Sequence, residues 1–378
     1  MYGVNSARLL SPGRLALPAS RRLKGAVLLF SLLAAGLTAF TSNAAQPSDP
    51  DGDGVSSDPA TRQQIPLAVR IFFKPLPDMM PGGENDTPEL ITLGRSLFFE
   101  RGISLAKSQS CNDCHRLDEQ RPGVDNLPTS PGAKGISGTR NSPTVLNAGF
   151  QSIQFWDGRA ADLVEQAKGP LLNPIEMAMR TEQDVVDQLH NTEGYLALFE
   201  RAFPGRSDPI TFDNVARAIA AFQRTLIAPS RFDRYLKGDT AALTTKEKRG
   251  LDRLVHAHCI QCHNSVPVGG RYLEKLGVYH PYENQSDAGR FEVTGKEDDR
   301  LIFKVPMLRN VTRTAPYFHD GGVADLREAV RLMAWMQLDL ELNPTEIDEI
   351  VRFLHALEGN PPIDAGERPA ASAKEHQP

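Results

Sequence analysis

The sequence predicts an all-α protein built as two similar halves. Three observations carry this. A short motif occurs twice, "SCNDCHRLDE" at 110–119 and "HCIQCHN" at 258–264. Apolar residues recur at helical spacing behind capping residues. No stretch alternates apolar and polar residues long enough to mark a half-buried strand.

The two motifs use every cysteine of the chain, Cys111, Cys114, Cys259 and Cys262. Four cysteines can form disulfides, a four-cysteine zinc site, a redox pair or haem attachments. A zinc site would leave His115 and His263 without a reason to follow each pair. A redox pair wants a βαβ context, which neither motif has. Covalent haem uses all six residues. Two thiols add across the vinyl groups, and the adjacent histidine becomes the proximal iron ligand. Two c-type haems are therefore expected, with zinc or structural cysteine clusters as the alternative.

The elements follow in chain order. Residues 1–24 hold Arg8, Arg14, Arg21, Arg22 and Lys24 and no acid, and residues 25–40 are an apolar run. "TSNAAQ" then offers small residues for cleavage near Ala44 or Ala45. This reads as a secretory signal over residues 1–45. A retained anchor is the alternative, though the run is short for a membrane span. Residues 46–64, rich in Pro, Gly and Asp, read as a flexible linker. A calcium loop there lacks the downstream glutamate of an EF-hand.

"TPELITLGRSLFFE" starts a helix, with Thr87 as cap, Pro88 in the first turn, and Leu90, Leu93, Leu97 and Phe98 on one face. Residues 116–150 are rich in Gly, Pro, Ser and Asn and read as a long loop, a type that usually carries function. Thr181 and Asp184 form a capping box. Val215, Ile219, Phe222 and Leu226 recur at helical spacing. Thr244 and Glu247 cap a helix through Leu251, Leu254 and Val255 into the second motif. Asn343, Pro344 and Glu346 start a last helix with Ile347, Ile350, Val351 and Leu354 on one side. Each half is thus helix, motif, loop, helices. The expected fold is all-α, two cytochrome c-like domains with one covalently bound haem each and long loops between helices. The domains are expected at 65–228 and 229–360, with a disordered tail at 361–378.

The chain has 42 basic and 47 acidic residues. Without the five basic residues of the signal its net charge is −10, which argues against a nucleic-acid partner. No second apolar run is long enough to span a bilayer. Export places the protein in a bacterial periplasm.

"RNSPTVLNAGFQSIQFWDGRAADLVEQAKGPLLNPIEM" (140–177), "FKVPMLRNVTRTAPYFHDGG" (303–322) and "LMAWMQL" (332–338) closely resemble the bacterial di-haem cytochrome c peroxidases. The resemblance runs from about residue 65 to residue 360. The same superfamily contains MauG-like enzymes, which oxidise a partner protein. The resemblance implies that Cys111, Cys114 and His115 hold the low-potential, peroxidatic haem. It implies that Cys259, Cys262 and His263 hold the high-potential haem, with Met333 as its sixth ligand and Met336 as the nearby competitor. MauG-like enzymes have tyrosine at that position, so Met333 favours the peroxidase. Gln166 and Glu176 match distal-pocket residues of the peroxidatic haem, where a carboxylate moves the proton of peroxide and an amide orients it. Trp156 matches the tryptophan between the haems, with plain aromatic packing as its other reading. Asn141, Thr314 and Pro316 match a calcium site, a set of oxygen donors that suits a hard cation.

One position departs from the pattern. The family's loop after the first motif supplies a histidine that caps the resting peroxidatic haem. The loop here reads "TSPGAKGISGTRN", and the equivalent position is Ala133. His256, His258, His280, His319 and His355 are expected to be surface or packing residues. The expected activity is reduction of hydrogen peroxide to water, without prior reductive activation, by electrons from a cytochrome c or a blue-copper protein. A homodimer is implied by resemblance. The alternatives are a MauG-like oxidase and a non-catalytic electron carrier.

Overall fold

The computed structural model describes residues 65–117 and 123–367, which fall within one compact unit. The signal, the linker and its Asp-rich run lie outside the described residues. The described chain is mostly helical, and its one sheet pairs β1 (Leu273–Lys275) antiparallel with β2 (Ile302–Lys304). That short pair was not expected from the sequence. It is too brief to show alternation, and it serves to hold a loop.

In the first half, α2 (Pro88–Phe98) starts where Thr87 accepts a hydrogen bond from Leu90 N at 3.2 Å. Its apolar face, Leu90, Leu93, Leu97 and Phe98, is buried. It crosses α7 (Phe212–Arg224) at Gly94, where an added Cβ would lie 1.8 Å from the Ala218 carbonyl oxygen. The helices α4 (Leu163–Leu172), α5 (Glu182–His190) and α6 (Tyr195–Ala202) complete this core. The Thr181–Asp184 box caps α5. Leu226, expected on the face of α7, lies two residues past its end and is still fully buried.

The second half repeats the device. The Thr244–Glu247 box caps α9 (Thr245–His256), and the Asn343–Glu346 box caps α12 (Pro344–Leu354). They cross at Gly250, where a Cβ would lie 1.9 Å from the Glu349 carbonyl oxygen. Around this crossing pack α8 (Arg231–Leu236) and α1 (Leu67–Phe72). Phe73 meets Phe232 edge-on at 5.4 Å between ring centroids. Residues 65–76 were expected with the first half. Val69 and Phe73, one helical turn apart, instead dock in the second core, and Leu76 N donates to Asp233 Oδ1 at 2.8 Å. Arg309, fully buried, forks onto both oxygens of Asp233 at 2.8 Å, which fixes the same junction.

Residues 361–367, expected in the tail, are held against the first half. Ala365 is buried in a cluster with Phe98, Leu146 and Leu226, and Asp364 pairs with Arg95 at 3.2 Å. Those contacts order residues 361–367 against the first half. The long loop of residues 116–150 is irregular wherever it is described, apart from one turn of 3-10 helix at its end.

Candidate functional site

Two cavities lie beside the two Cys-x-x-Cys-His motifs. The first motif forms a single helical turn, α3 (Cys111–Cys114). Its entry is fixed by Ser110, whose N–H and Oγ both donate to Asp113 Oδ2, at 2.8 and 2.7 Å. Arg101 holds the same carboxylate and keeps it below the ordinary aspartate range. His115 closes the turn with its N–H on the Cys111 carbonyl at 2.8 Å. The imidazole is thereby carried into a cavity of about 490 Å³ with both thiols. Burial pushes the Cys111 thiol up to about 12 and the His115 imidazole down. Both thiols are free, and buried His115 Nδ1 has no hydrogen-bond partner.

Gln166 and Glu176 line this cavity too. Gln166 stands on α4, which begins where Asp162 Oδ1 accepts from Val164 N and Glu165 N. Glu176 lies just past the end of α4, and Asn173 Nδ2 donates to its Oε1 at 2.6 Å. Burial raises the Glu176 carboxyl above its ordinary range, against the Asn173 hydrogen bond and the charge of Arg159. Ala133, in the loop of residues 116–150, is tied to the Glu176 segment: its N–H donates to the Glu176 carbonyl at 2.7 Å. The chain at Gly132 runs so close that a Cβ there would meet Ile175 O at 1.6 Å. His115 is the histidine among the described residues that line this cavity.

The second motif follows α9 directly. His263 N–H donates to the Cys259 carbonyl at 2.9 Å, the bond its counterpart makes in the first motif. His263, Cys259 and Cys262 line a cavity of about 240 Å³. Burial takes the His263 imidazole down to about 4 and the Cys259 thiol up to about 11. His263 Nδ1, like that of His115, has no hydrogen-bond partner. Met333 lines this cavity from α11 (Leu326–Leu338), while Met336 turns into a neighbouring aromatic cluster with Tyr282 and Phe318. Met307 is a further thioether in the wall.

Trp156 lines both cavities. Its Nε1 donates to the Asn141 carbonyl at 2.9 Å, and its own carbonyl accepts from Lys304 N at 2.6 Å. Asn141, Thr314 and Pro316 all line the His263 cavity, and Asn141 also lines the other. The Asn141 amide is oriented by donation to the carbonyls of Leu127 (2.9 Å) and Pro128 (3.3 Å).

Two residues of the wall, Arg140 and Lys304, were missed in the sequence. Arg140 pairs with Asp157, Asp287 and Glu292 and so ties segments far apart in the chain. Lys304 is buried and lines both cavities. His319 was expected as a surface or packing residue. It is a packing one: it is buried, stacks on Phe303 at 4.3 Å and leaves both ring nitrogens without a partner. No local spacing marks Lys304 or His319 in the sequence; the fold alone buries them.

Residues 88–241 match a family described as di-haem cytochrome c peroxidase. Over 281 residues the chain is 46% identical to cytochrome c551 peroxidase of Nitrosomonas europaea, covering 73% of this chain and 83% of that one. The chain belongs to the di-haem cytochrome c peroxidase family. Cytochrome c551 peroxidase of Pseudomonas aeruginosa is 43% identical over 298 residues, 77% of this chain and 85% of the relative. The crystal structure of a MauG-like protein associated with microbial copper homeostasis superposes with a TM-score of 0.69 at 28% identity. It covers 81% of this chain and 99% of its own. The chain is thus an enzyme of the peroxidase class on a di-haem scaffold.

Proposed function

We propose that the chain is a periplasmic di-haem cytochrome c peroxidase that reduces hydrogen peroxide to water with two electrons from a cytochrome c or a blue-copper protein. The observation that carries this reading is Glu176, a half-buried carboxylate that lines the cavity His115 enters and whose affinity for protons burial raises. The residues fit the cofactor. Each cavity is lined by two free thiols and the imidazole that follows them, the donor set that covalent haem requires. Cys111, Cys114 and His115 hold one haem, and Cys259, Cys262, His263 and Met333 hold the other. Bound haem iron supplies the redox chemistry, with the thioether-ligated site of higher potential.

The chain supplies proton control. Peroxide must lose a proton at one oxygen and gain it at the other as the O–O bond breaks. Glu176 takes the first proton and returns it, and two further protons and two electrons complete two waters. Asn173 fixes one oxygen of Glu176, which leaves the other to face the substrate. Gln166 orients the peroxide. Trp156, in the wall shared by the cavities, carries electrons between them. Ala133 leaves the first site without a capping imidazole, so the all-ferric enzyme is competent without prior reduction. Calcium bound by the Asn141 side chain and the carbonyls of Thr314 and Pro316 braces the shared wall. The active form is a homodimer.

Steady-state peroxide turnover with a panel of reduced donors tests the reading. Rapid turnover with a small reduced carrier supports it. A long-lived oxidised state that discharges only into one specific protein would place the chain with the MauG-like oxidases.

A further inference from the structure

The two cavities share a wall, and Lys304 is its buried cation. Lys304 is 5% exposed and lines both cavities. Its backbone is held twice, by pairing of β2 with β1 and by the bond to the Trp156 carbonyl. The ammonium hydrogen-bonds the amide oxygen of Gln151, itself buried and in the same wall. No carboxylate among the described residues lies within ion-pair distance of it. Burial, with no opposing charge, takes its pKa down to about 8.

A buried ammonium facing only an amide is costly. An anion belongs there. The other cations of the cavity walls are already engaged. Arg309 is committed to Asp233, Ser230 and the Val266 carbonyl. Arg140 is committed to Asp157, Asp287 and Glu292, and Arg159 to Asp157. Haem presents two propionate carboxylates at the edge opposite its vinyl groups. Cysteines that capture the vinyl edge therefore turn the carboxylate edge away from the motif.

We propose that Lys304 binds a haem propionate in the wall between the two cavities and so sets the redox potential of that haem. This rests on the di-haem reading above. A cation beside a propionate stabilises the ferrous state, because reduction removes one positive charge from the iron. Loss of the cation lowers the midpoint potential.

The test uses the full-length holoprotein and two variants, Lys304→Gln, which removes the charge, and Lys304→Arg, which keeps it. Mass and pyridine haemochrome spectra first count the haems of the unaltered protein. Fewer than two covalent haems there would sink the di-haem reading itself. With two present, redox titration followed in the visible bands and resonance Raman of the propionate-bending modes are compared across the variants. The expected result is a lowered potential and shifted propionate bands for one haem in Lys304→Gln, with Lys304→Arg close to the unaltered protein. Loss of one haem from Lys304→Gln alone supports the same assignment. Unchanged potentials and bands in both variants would overturn it. Equal shifts, or equal haem loss, in both variants would assign Lys304 to packing and overturn it too.

Discussion

Around His115 the cavity wall carries Glu176, Gln166 and Arg159; around His263 it carries Met333, Leu308, Val330 and Ile350. Both cavities begin with the same device. A helix is pinned at a glycine crossing, a Cys-x-x-Cys turn follows, and the histidine N–H closes back on the first cysteine carbonyl. The difference lies in what comes after the motif. The first half lays a loop and the end of α4 over its cavity, and these bring proton-carrying side chains. The second half lays α11 over its cavity, which brings a thioether and apolar side chains. One Cys-x-x-Cys-His device thus stands beside two differently furnished cavities, the first the more polar and the second the more apolar.

Removing the proton carrier should show the largest effect. Glu176→Gln should keep both haems and lose activity by about a hundredfold or more, the scale of a positioned acid–base residue. Steady-state kinetics with haem content measured in parallel checks it, and near-normal turnover would remove Glu176 from the chemistry. The acid limb of kcat/KM gives a second reading. Burial raises the Glu176 pKa, and the carboxylate is the form that accepts the proton. Activity should therefore fall with decreasing pH through a pKa above the ordinary 4.5 of a glutamate, and the Gln variant should lack that limb.

The shared scaffold gives matched predictions. Gly94→Ala and Gly250→Ala each force a Cβ to within 2 Å of a carbonyl oxygen on the facing helix. Each should destabilise the fold by about 1–3 kcal/mol, the usual cost of overpacking. Denaturant titration checks this, and a large cost at only one crossing would break the likeness of the halves. Smallest are the caps. Thr87→Ala and Thr244→Ala each remove a side-chain acceptor from the third residue of a helix, and each should cost ~1 kcal/mol. Thr244→Ala should be the dearer. It also leaves Glu247 without the hydroxyl of its capping box, though Arg231 still holds that carboxylate.

The helices were legible because their signals are local. Thr87, Thr181, Thr244 and Asn343 cap where the sequence placed them. The cavities gather the motif residues, Met333, Glu176 and Gln166 as two sets, each made of side chains whose types the sequence displays. What was not legible depends on distant packing. Val69 and Phe73 read as the start of the first half, yet their partners lie beyond residue 230. Lys304 and His319 look like ordinary polar residues until the fold buries them between Gln151, Phe303 and Trp156. No spacing rule carries that information.

Electron paramagnetic resonance of the fully oxidised protein, before and after peroxide, tests most directly whether the two sites differ as described. Ala133 offers no imidazole to the first site, and Met333 faces the second. The account predicts one high-spin ferric signal that changes when peroxide is added, beside one low-spin signal from the Met333 site. Two low-spin signals, indifferent to peroxide until an electron is supplied, would contradict it.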